Sequence, residues 1–301
     1  LGSVAQARCI AAICLGNVRL DALPSVICFS NARMSEDVLT VPPPPADVRI
    51  QYGPDPHHFA DLRLPKDKGL HPLFINIHGG YWRSKYDLAH AGHLCAALTA
   101  KNVTTANLEY RRVGNDGGGW PGTFADIRSA LRFLEQNAVR YDFDTKHIVV
   151  MGHSAGGQLA VALAAHEASI QSVVSMAGIL DLQRAFKLHL SNDAVVEFLG
   201  GKPSDAMDHY AEADPMRLQV PATIQQWILH GTKDDVVPPD FSRAYVETKK
   251  KKKENVQLLE VESADHFDLI DPHSAAWKVI EPCVLQAAQY SGLGDSTQYK
   301  R

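Results

Sequence analysis

Long apolar runs are absent from this chain. No stretch approaches the roughly 20 consecutive apolar residues that would cross a bilayer, so no membrane partner is expected. Cysteine is scarce: there are five in 301 residues, and only Cys95 and Cys283 lie beyond the first thirty positions. That usage excludes a disulfide framework and fits a reducing compartment, so a cytoplasmic location is expected. Charge of one sign is lacking too. A net charge of −4 provides no global attraction for nucleic acid or an anionic surface. There is no internal repeat and no second dinucleotide-type unit, and no cofactor or metal is expected. His57 and His58 are adjacent on an extended segment, face opposite ways and make a poor metal pair, so a surface role is expected for them.

What is present centres on residues 147–164. An apolar run, His147 to Met151, leads into Gly152-His153-Ser154-Ala155-Gly156 and then an Ala/Leu-rich segment that reads as a helix. A strand, a sharp glycine-flanked turn with serine at its apex, and a helix make the pattern of a nucleophile elbow. Ser154 must adopt a strained backbone there, so small residues are needed two positions to either side. The following helix's N-terminus offers N–H groups and a dipole that favour negative charge.

Around this unit the chain alternates. Val48–Tyr52 and Phe59–Leu64 read as an antiparallel starting pair about the turn Gly53-Pro54-Asp55-Pro56. Strand patterns follow at 73–77, 103–108, 172–177, 226–229 and 256–261, separated by helical patterns at 86–101, from Pro121, after 238 and from 273 to about 290. The expected architecture is α/β: a mostly parallel eight-stranded sheet covered on both faces. Residues 183–222 break the rhythm and read as an inserted cap of short helices. Lys249 to Lys253 are expected to be solvated at a helix end. Residues 1–33 differ from the rest and are expected to be a leader or extension outside the fold, because Met34-Ser35-Glu36-Asp37 reads as a natural beginning. Residues 34–301 are then one domain with its cap.

Functional residues of a parallel sheet gather beyond the strands' carboxyl ends. Four such segments are polar or glycine-rich: His78–Trp82, Gly152–Gly156, Gly231–Asp235 and Asp265-His266. A serine hydroxyl is a weak nucleophile; it needs a base, and the base needs an acid to fix its tautomer. Chain order nominates Ser154 as nucleophile, Asp234 as acid and His266 as base. Asp235 is the neighbouring alternative acid, and among fourteen histidines His273 is a distant alternative base. The oxyanion of the tetrahedral intermediate requires preorganised donors, each worth about 3–4 kcal/mol. The candidates are the N–H of Ala155 and those of Gly80 and Tyr81, with Gly79 shaping the turn. His78 and His153 are expected to orient or pack. Trp82, Trp120 and Phe267 adjoin these motifs; they either line an aryl-accepting pocket or pack in the core.

His78-Gly79-Gly80-Tyr81-Trp82 together with Gly152-His153-Ser154-Ala155-Gly156-Gly157 resembles the esterase/lipase branch of the α/β-hydrolase superfamily. Tyr110-Arg111-Arg112 followed by Gly117-Gly118-Gly119-Trp120-Pro121-Gly122 is similar to kynurenine (aryl) formamidases and to bacterial feruloyl/acetyl-xylan-type esterases. The resemblance covers about residues 47–290. It implies cofactor-free hydrolysis of a small-molecule ester, or of an aryl formamide such as N-formylkynurenine, by the triad and oxyanion loop named above. A carboxylesterase is the expected activity and an arylformamidase the alternative. A non-catalytic binding protein of the same fold usually lacks a triad member, and none is missing here; a peptidase would need a groove or gating domain that nothing marks. A homodimer is left open.

Overall fold

A computed structural model describes residues 36–289 of the chain. The leader or extension expected over residues 1–33 lies outside them. The strands are β1 (Val48–Gln51), β2 (Phe59–Arg63), β3 (His71–Ile77), β4 (Thr104–Leu108), β5 (Phe143–His153), β6 (Ser172–Met176), β7 (Gln225–Gly231) and β8 (Val256–Val261). They form one sheet in the order β1-β2-β4-β3-β5-β6-β7-β8. β1 runs antiparallel to β2, and β2 to β4; from β4 to β8 every pairing is parallel. This is the α/β-hydrolase fold.

Helices connect the parallel strands: α1 (Asp37–Thr40) before the sheet, α2 (Gly92–Thr99), α3 (Gly122–Gln136), α4 (Ala155–His166), α5 (Leu182–Lys187), α6 (Ala194–Leu199), α7 (Met207–Ala213), α8 (Asp240–Lys251) and α9 (Trp277–Gln286). Leu73–Ile77 of β3 and all of β6 are buried, as expected where helices cover both faces of a parallel sheet. α4 is buried from Ala155 to Ala164 without a solvent side. Its small residues let it lie close to the sheet, and a helix apolar all round belongs inside. α3 is one-sided instead: Phe124, Ile127, Leu131 and Leu134 are the buried face read from the sequence. Pro121 sits one residue before this helix rather than inside its first turn.

Two expectations are corrected. Lys250 to Lys253 are exposed, but Lys249 is fully buried. Its Nζ donates to the Leu218 carbonyl and lies 3.4 Å from a Glu254 carboxylate oxygen, which satisfies the charge that water would otherwise hold. His58 is not a plain surface residue either. It stacks on Tyr52 at 5.2 Å, and its Nε2 lies 2.9 Å from Asp126. Among the described residues no helix is long and apolar enough to cross a membrane.

The parallel arrangement has one consequence for chemistry. β3, β5, β7 and β8 all end at the same edge of the sheet, with β3 beside β5 and only β6 between β5 and β7. The four polar segments therefore emerge side by side.

Candidate active site

Ser154 stands between the end of β5 and the start of α4, with φ 56° and ψ −121°. That is an unfavourable backbone for a residue with a side chain, and such strain persists only where the surroundings impose it. Its N–H donates to the Met176 carbonyl at 2.8 Å, and its carbonyl accepts from Gly157 N–H at 3.0 Å. The turn is tight enough to forbid side chains at Gly156, where a Cβ would lie 1.9 Å from the Ile77 carbonyl oxygen. Gly156→Ala is accordingly expected to destabilise the protein by about 3 kcal/mol or more, because the clash is with backbone and no side chain can move aside. Thermal denaturation of the purified variant measures it.

The candidate acid and the candidate base meet across the ends of β7 and β8. Lys233 N–H donates to the Ala264 carbonyl at 2.9 Å, and Ser263 N–H to Thr232 Oγ1 at 2.9 Å, which zips the two loops together. Asp234 is thereby placed so that its Oδ2 accepts from His266 Nδ1 at 2.7 Å. Asp235, the alternative, is exposed. With Nδ1 carrying the proton, His266 Nε2 is left with a free lone pair, the form a general base requires.

Asp234 holds more than His266. Its Oδ1 accepts from the N–H groups of Val236 at 2.9 Å and Val237 at 2.8 Å, and its Oδ2 lies 3.2 Å from His230 Nε2. His230 Nε2 also faces the Val237 carbonyl at 2.9 Å, so that nitrogen bears the proton and Nδ1 accepts from Ser242 Oγ at 2.6 Å. Burial pushes the Asp234 carboxyl up, but hydrogen bonds from His230 and His266 outweigh it and hold the group well below the usual carboxylate range. The carboxylate stays ionised beside the imidazole it orients.

Ser154 and His266 are linked through the residue next to the serine. His153 Nε2–H donates to the His266 carbonyl at 2.9 Å, and the two rings are 4.4 Å apart. Burial, then the neighbouring His266, pushes the His153 imidazole well below its ordinary value, so it stays a neutral donor. Among the described residues no hydrogen bond joins the Ser154 hydroxyl to His266 itself; bonds of this kind commonly tighten only when substrate arrives.

The third part of the site is the loop after β3. A Cβ at Gly79 would lie 3.1 Å from Ser154 Cβ, so this loop runs directly against the serine. Its first residue, His78, is fully buried. His78 Nδ1–H donates to the Gly79 carbonyl at 2.8 Å, and the Tyr110 hydroxyl donates to the His78 carbonyl at 2.7 Å. A trans peptide turns its N–H opposite to its carbonyl, so fastening the Gly79 carbonyl to His78 aims the Gly80 N–H the other way. Ala155 is the first residue of α4, where the N–H has no partner in the helix ladder. Ser154, Asp234, His266, Gly79 and Ala155 thus come together, with Gly80 and Tyr81 continuing the loop.

The three aromatics divide. Trp82 is 1% exposed and stacks on Phe198 at 4.6 Å, and Trp120 stacks on Phe124 at 4.8 Å, so both pack in the core. Phe267 remains half-buried, edge-on to the His266 ring at 5.2 Å. His230 and Tyr110 are contributors that sequence reasoning left out. Each stands at or just past the carboxyl end of a strand, and that position was the available signal.

The BD-FAE family model matches residues 60–248. Among curated proteins the chain is similar to Esterase LipC of Mycobacterium tuberculosis, 25% identical over 74% of this chain and 60% of LipC. It is also similar to isoprenylcysteine alpha-carbonyl methylesterase ICME of Arabidopsis thaliana, 23% identical over 73% of this chain and 56% of that protein. The chain thus spans just over half the length of these relatives. In shape it is similar to inhibited Esterase B from Lactobacillus rhamnosis, with a TM-score of 0.71 at 17% identity, covering 85% of this chain and 91% of that one. A truncated carbohydrate esterase from gut microbiota gives a TM-score of 0.70 at 19% identity, covering 83% of this chain and all of that one.

Proposed function

The chain belongs to the BD-FAE family, and from that premise we propose that it is a serine carboxylesterase cleaving esters of small acyl or aryl groups. The observation that carries the reading is the Asp234–His266 hydrogen bond of 2.7 Å, formed by two loops beside a serine held at φ 56°. Relatives named as esterases support it.

In this reading Ser154 Oγ attacks the ester carbonyl and passes its proton to His266 Nε2. Negative charge develops on the former carbonyl oxygen, which the N–H groups of Ala155, Gly80 and Tyr81 receive. Collapse of the intermediate breaks the bond to the alcohol, which takes the proton from His266. Water then attacks the acyl-enzyme, giving a proton to the same nitrogen; collapse of this second intermediate breaks the bond to Ser154 Oγ, which takes that proton back from His266 as the carboxylic acid leaves. Asp234 keeps the imidazole in one tautomer and stabilises its cation in both halves. No cofactor enters. Residues 183–222, carrying α6, α7 and most of α5, act as a cap over this edge, and Phe267 contributes a wall beside the base.

A rate panel tests the substrate class. Purified protein should hydrolyse p-nitrophenyl acetate and butyrate faster than the octanoate, with methyl ferulate also turned over. A kcat/KM dominated by N-formylkynurenine would replace the ester with an activated amide; no turnover of any ester would remove the proposal.

A further inference from the structure

The loop that carries the oxyanion donors is held in an unfavourable shape. Gly80 has φ 112°, which glycine tolerates, but Tyr81 and Trp82 follow at φ 51° and 56°. Two consecutive side-chain-bearing residues in the left-handed region do not stay there unaided. Something outside the loop must hold them, and the contacts identify it.

Most of those contacts come from the segment between β6 and β7. The Trp82 ring stacks on Phe198 of α6 at 4.6 Å with the planes 6° apart. Its Nε1 donates to Gln158 Oε1 at 3.0 Å, while Gln158 Nε2 donates to the Ala213 carbonyl at the end of α7 at 2.8 Å. The next residue, Arg83, forks onto Glu197 of α6: Nε to Oε2 at 2.8 Å and Nη2 to Oε1 at 3.0 Å. Arg83 Nη1 also donates to Ser191 Oγ at 3.0 Å. That partner segment is strained as well, with Ser191, Asn192 and Asp193 at φ 48°, 54° and 58°. Phe198 is in turn fixed from behind, its carbonyl accepting from Trp120 N–H at 2.8 Å and its ring meeting Trp120 edge-on at 6.1 Å. Three contacts reach elsewhere: the Trp82 carbonyl accepts from Val113 N–H at 2.8 Å, Ser84 N–H donates to the Val113 carbonyl at 2.9 Å, and the Tyr81 hydroxyl donates to the Val236 carbonyl at 3.0 Å, two residues beyond Asp234.

We propose that Phe198 and Glu197 on α6 are positioning residues that hold the 80–82 backbone in the conformation its N–H groups need to receive the oxyanion. The inference rests on the serine-hydrolase reading above and deepens it: the β6–β7 segment governs turnover as well as whatever access it gives to substrate. Neither residue touches the reacting atoms. Phe198 acts by filling the face of Trp82, and Glu197 acts by the two-point hold on Arg83, whose fork geometry gives direction that a single contact lacks. Loosening either relaxes the loop toward ordinary backbone angles and takes the donors out of line, and a shift of this size far from the chemistry lowers the rate more than binding.

The experiment compares wild type with Phe198→Leu, which keeps an apolar side chain but not the stack, and Glu197→Gln, a change at a half-exposed position that the fold tolerates. Three readouts are taken: kcat and KM on p-nitrophenyl butyrate, inhibition by a trifluoromethyl ketone whose hemiketal oxygen mimics the oxyanion, and hydrogen exchange of the 79–83 peptide. Phe198→Leu should lose roughly tenfold or more in kcat with KM within about twofold, and the ketone should weaken in parallel. Glu197→Gln should lose about threefold with its melting temperature unchanged. Exchange of the 79–83 amides should accelerate in both. Reversing the pair, R83E with E197R, should restore part of the loss that either reversal causes alone. Folded variants with wild-type kcat, ketone affinity and exchange would overturn the positioning role while leaving the hydrolase reading intact. A wild type that neither turns over ester nor reacts with a fluorophosphonate would overturn both.

Discussion

Ser154→Ala is expected to abolish ester hydrolysis, lowering kcat by about a millionfold, with no loss of folded protein. The magnitude follows from the role. Removing a nucleophile that acts as one unit with its base forfeits nearly all covalent catalysis, and what survives comes from binding and oxyanion stabilisation. The structural cost is small. Alanine tolerates φ 56° about as well as serine does, and the backbone bonds to Met176 and Gly157 are unchanged by the substitution. Steady-state kinetics with p-nitrophenyl acetate should show turnover lost in the variant, while circular dichroism and the melting temperature stay in place. A variant with more than about a thousandth of wild-type kcat would mean that another residue or bulk hydroxide performs the attack.

Asp234→Asn carries the second large effect. The asparagine amide can present its NH2 group to His266 Nδ1 and so favour the tautomer with the proton on Nε2, which cannot accept from serine. A loss of roughly ten-thousandfold in kcat is expected. The same substitution has a pH signature in stability. Asp234 is held below its unfolded value, about 3.9 for a free aspartate, by His230, His266 and two backbone N–H groups. A group depressed in the folded state contributes stability that is complete above the unfolded value and is lost as pH falls through the folded one. The stability difference between wild type and Asp234→Asn should therefore be largest above about pH 5 and shrink on acidification below about pH 4. Urea unfolding at a series of pH values measures it. A difference that stays constant through the acid range would mean that Asp234 is not the ionised partner of these histidines.

How far the sequence reached depends on what kind of information each feature holds. The central strands were legible because parallel strands buried on both faces are written as short apolar runs, as in Leu73–Ile77 and Ser172–Met176, while the antiparallel starting pair was marked by the turn Gly53-Pro54-Asp55-Pro56 between its strands. The turn at Ser154 was legible because close packing requires glycine at both flanks, and glycine is visible in a sequence. The choice of Asp234 over Asp235 rested on the spacing from Gly231 to Asp234 before Val236-Val237-Pro238; the structure separates them by burial, one carboxylate turned in to four donors and the other exposed. His230 stands at the carboxyl end of an apolar strand, which marks it as near the site, but nothing local says that its ring reaches Asp234 and Ser242. The same limit applies to Trp82. Its place at the end of the His78-Gly79-Gly80-Tyr81 loop was visible, but its partner Phe198 is more than a hundred residues away on a helix with no motif of its own. Lys249 was misplaced for a related reason: a run of five lysines reads as solvent-facing, and the buried Glu254 that forms an ion pair with the first of them depends on how the chain turns after α8.

The central claim, that Ser154 is the residue made nucleophilic by His266 and Asp234, is tested most directly by peptide mapping after treatment with a fluorophosphonate. The account predicts a single covalent adduct on the peptide bearing Ser154, absent in Ser154→Ala and formed much more slowly in His266→Ala. A folded wild-type protein that remains unlabelled, or one labelled at another residue, would contradict it.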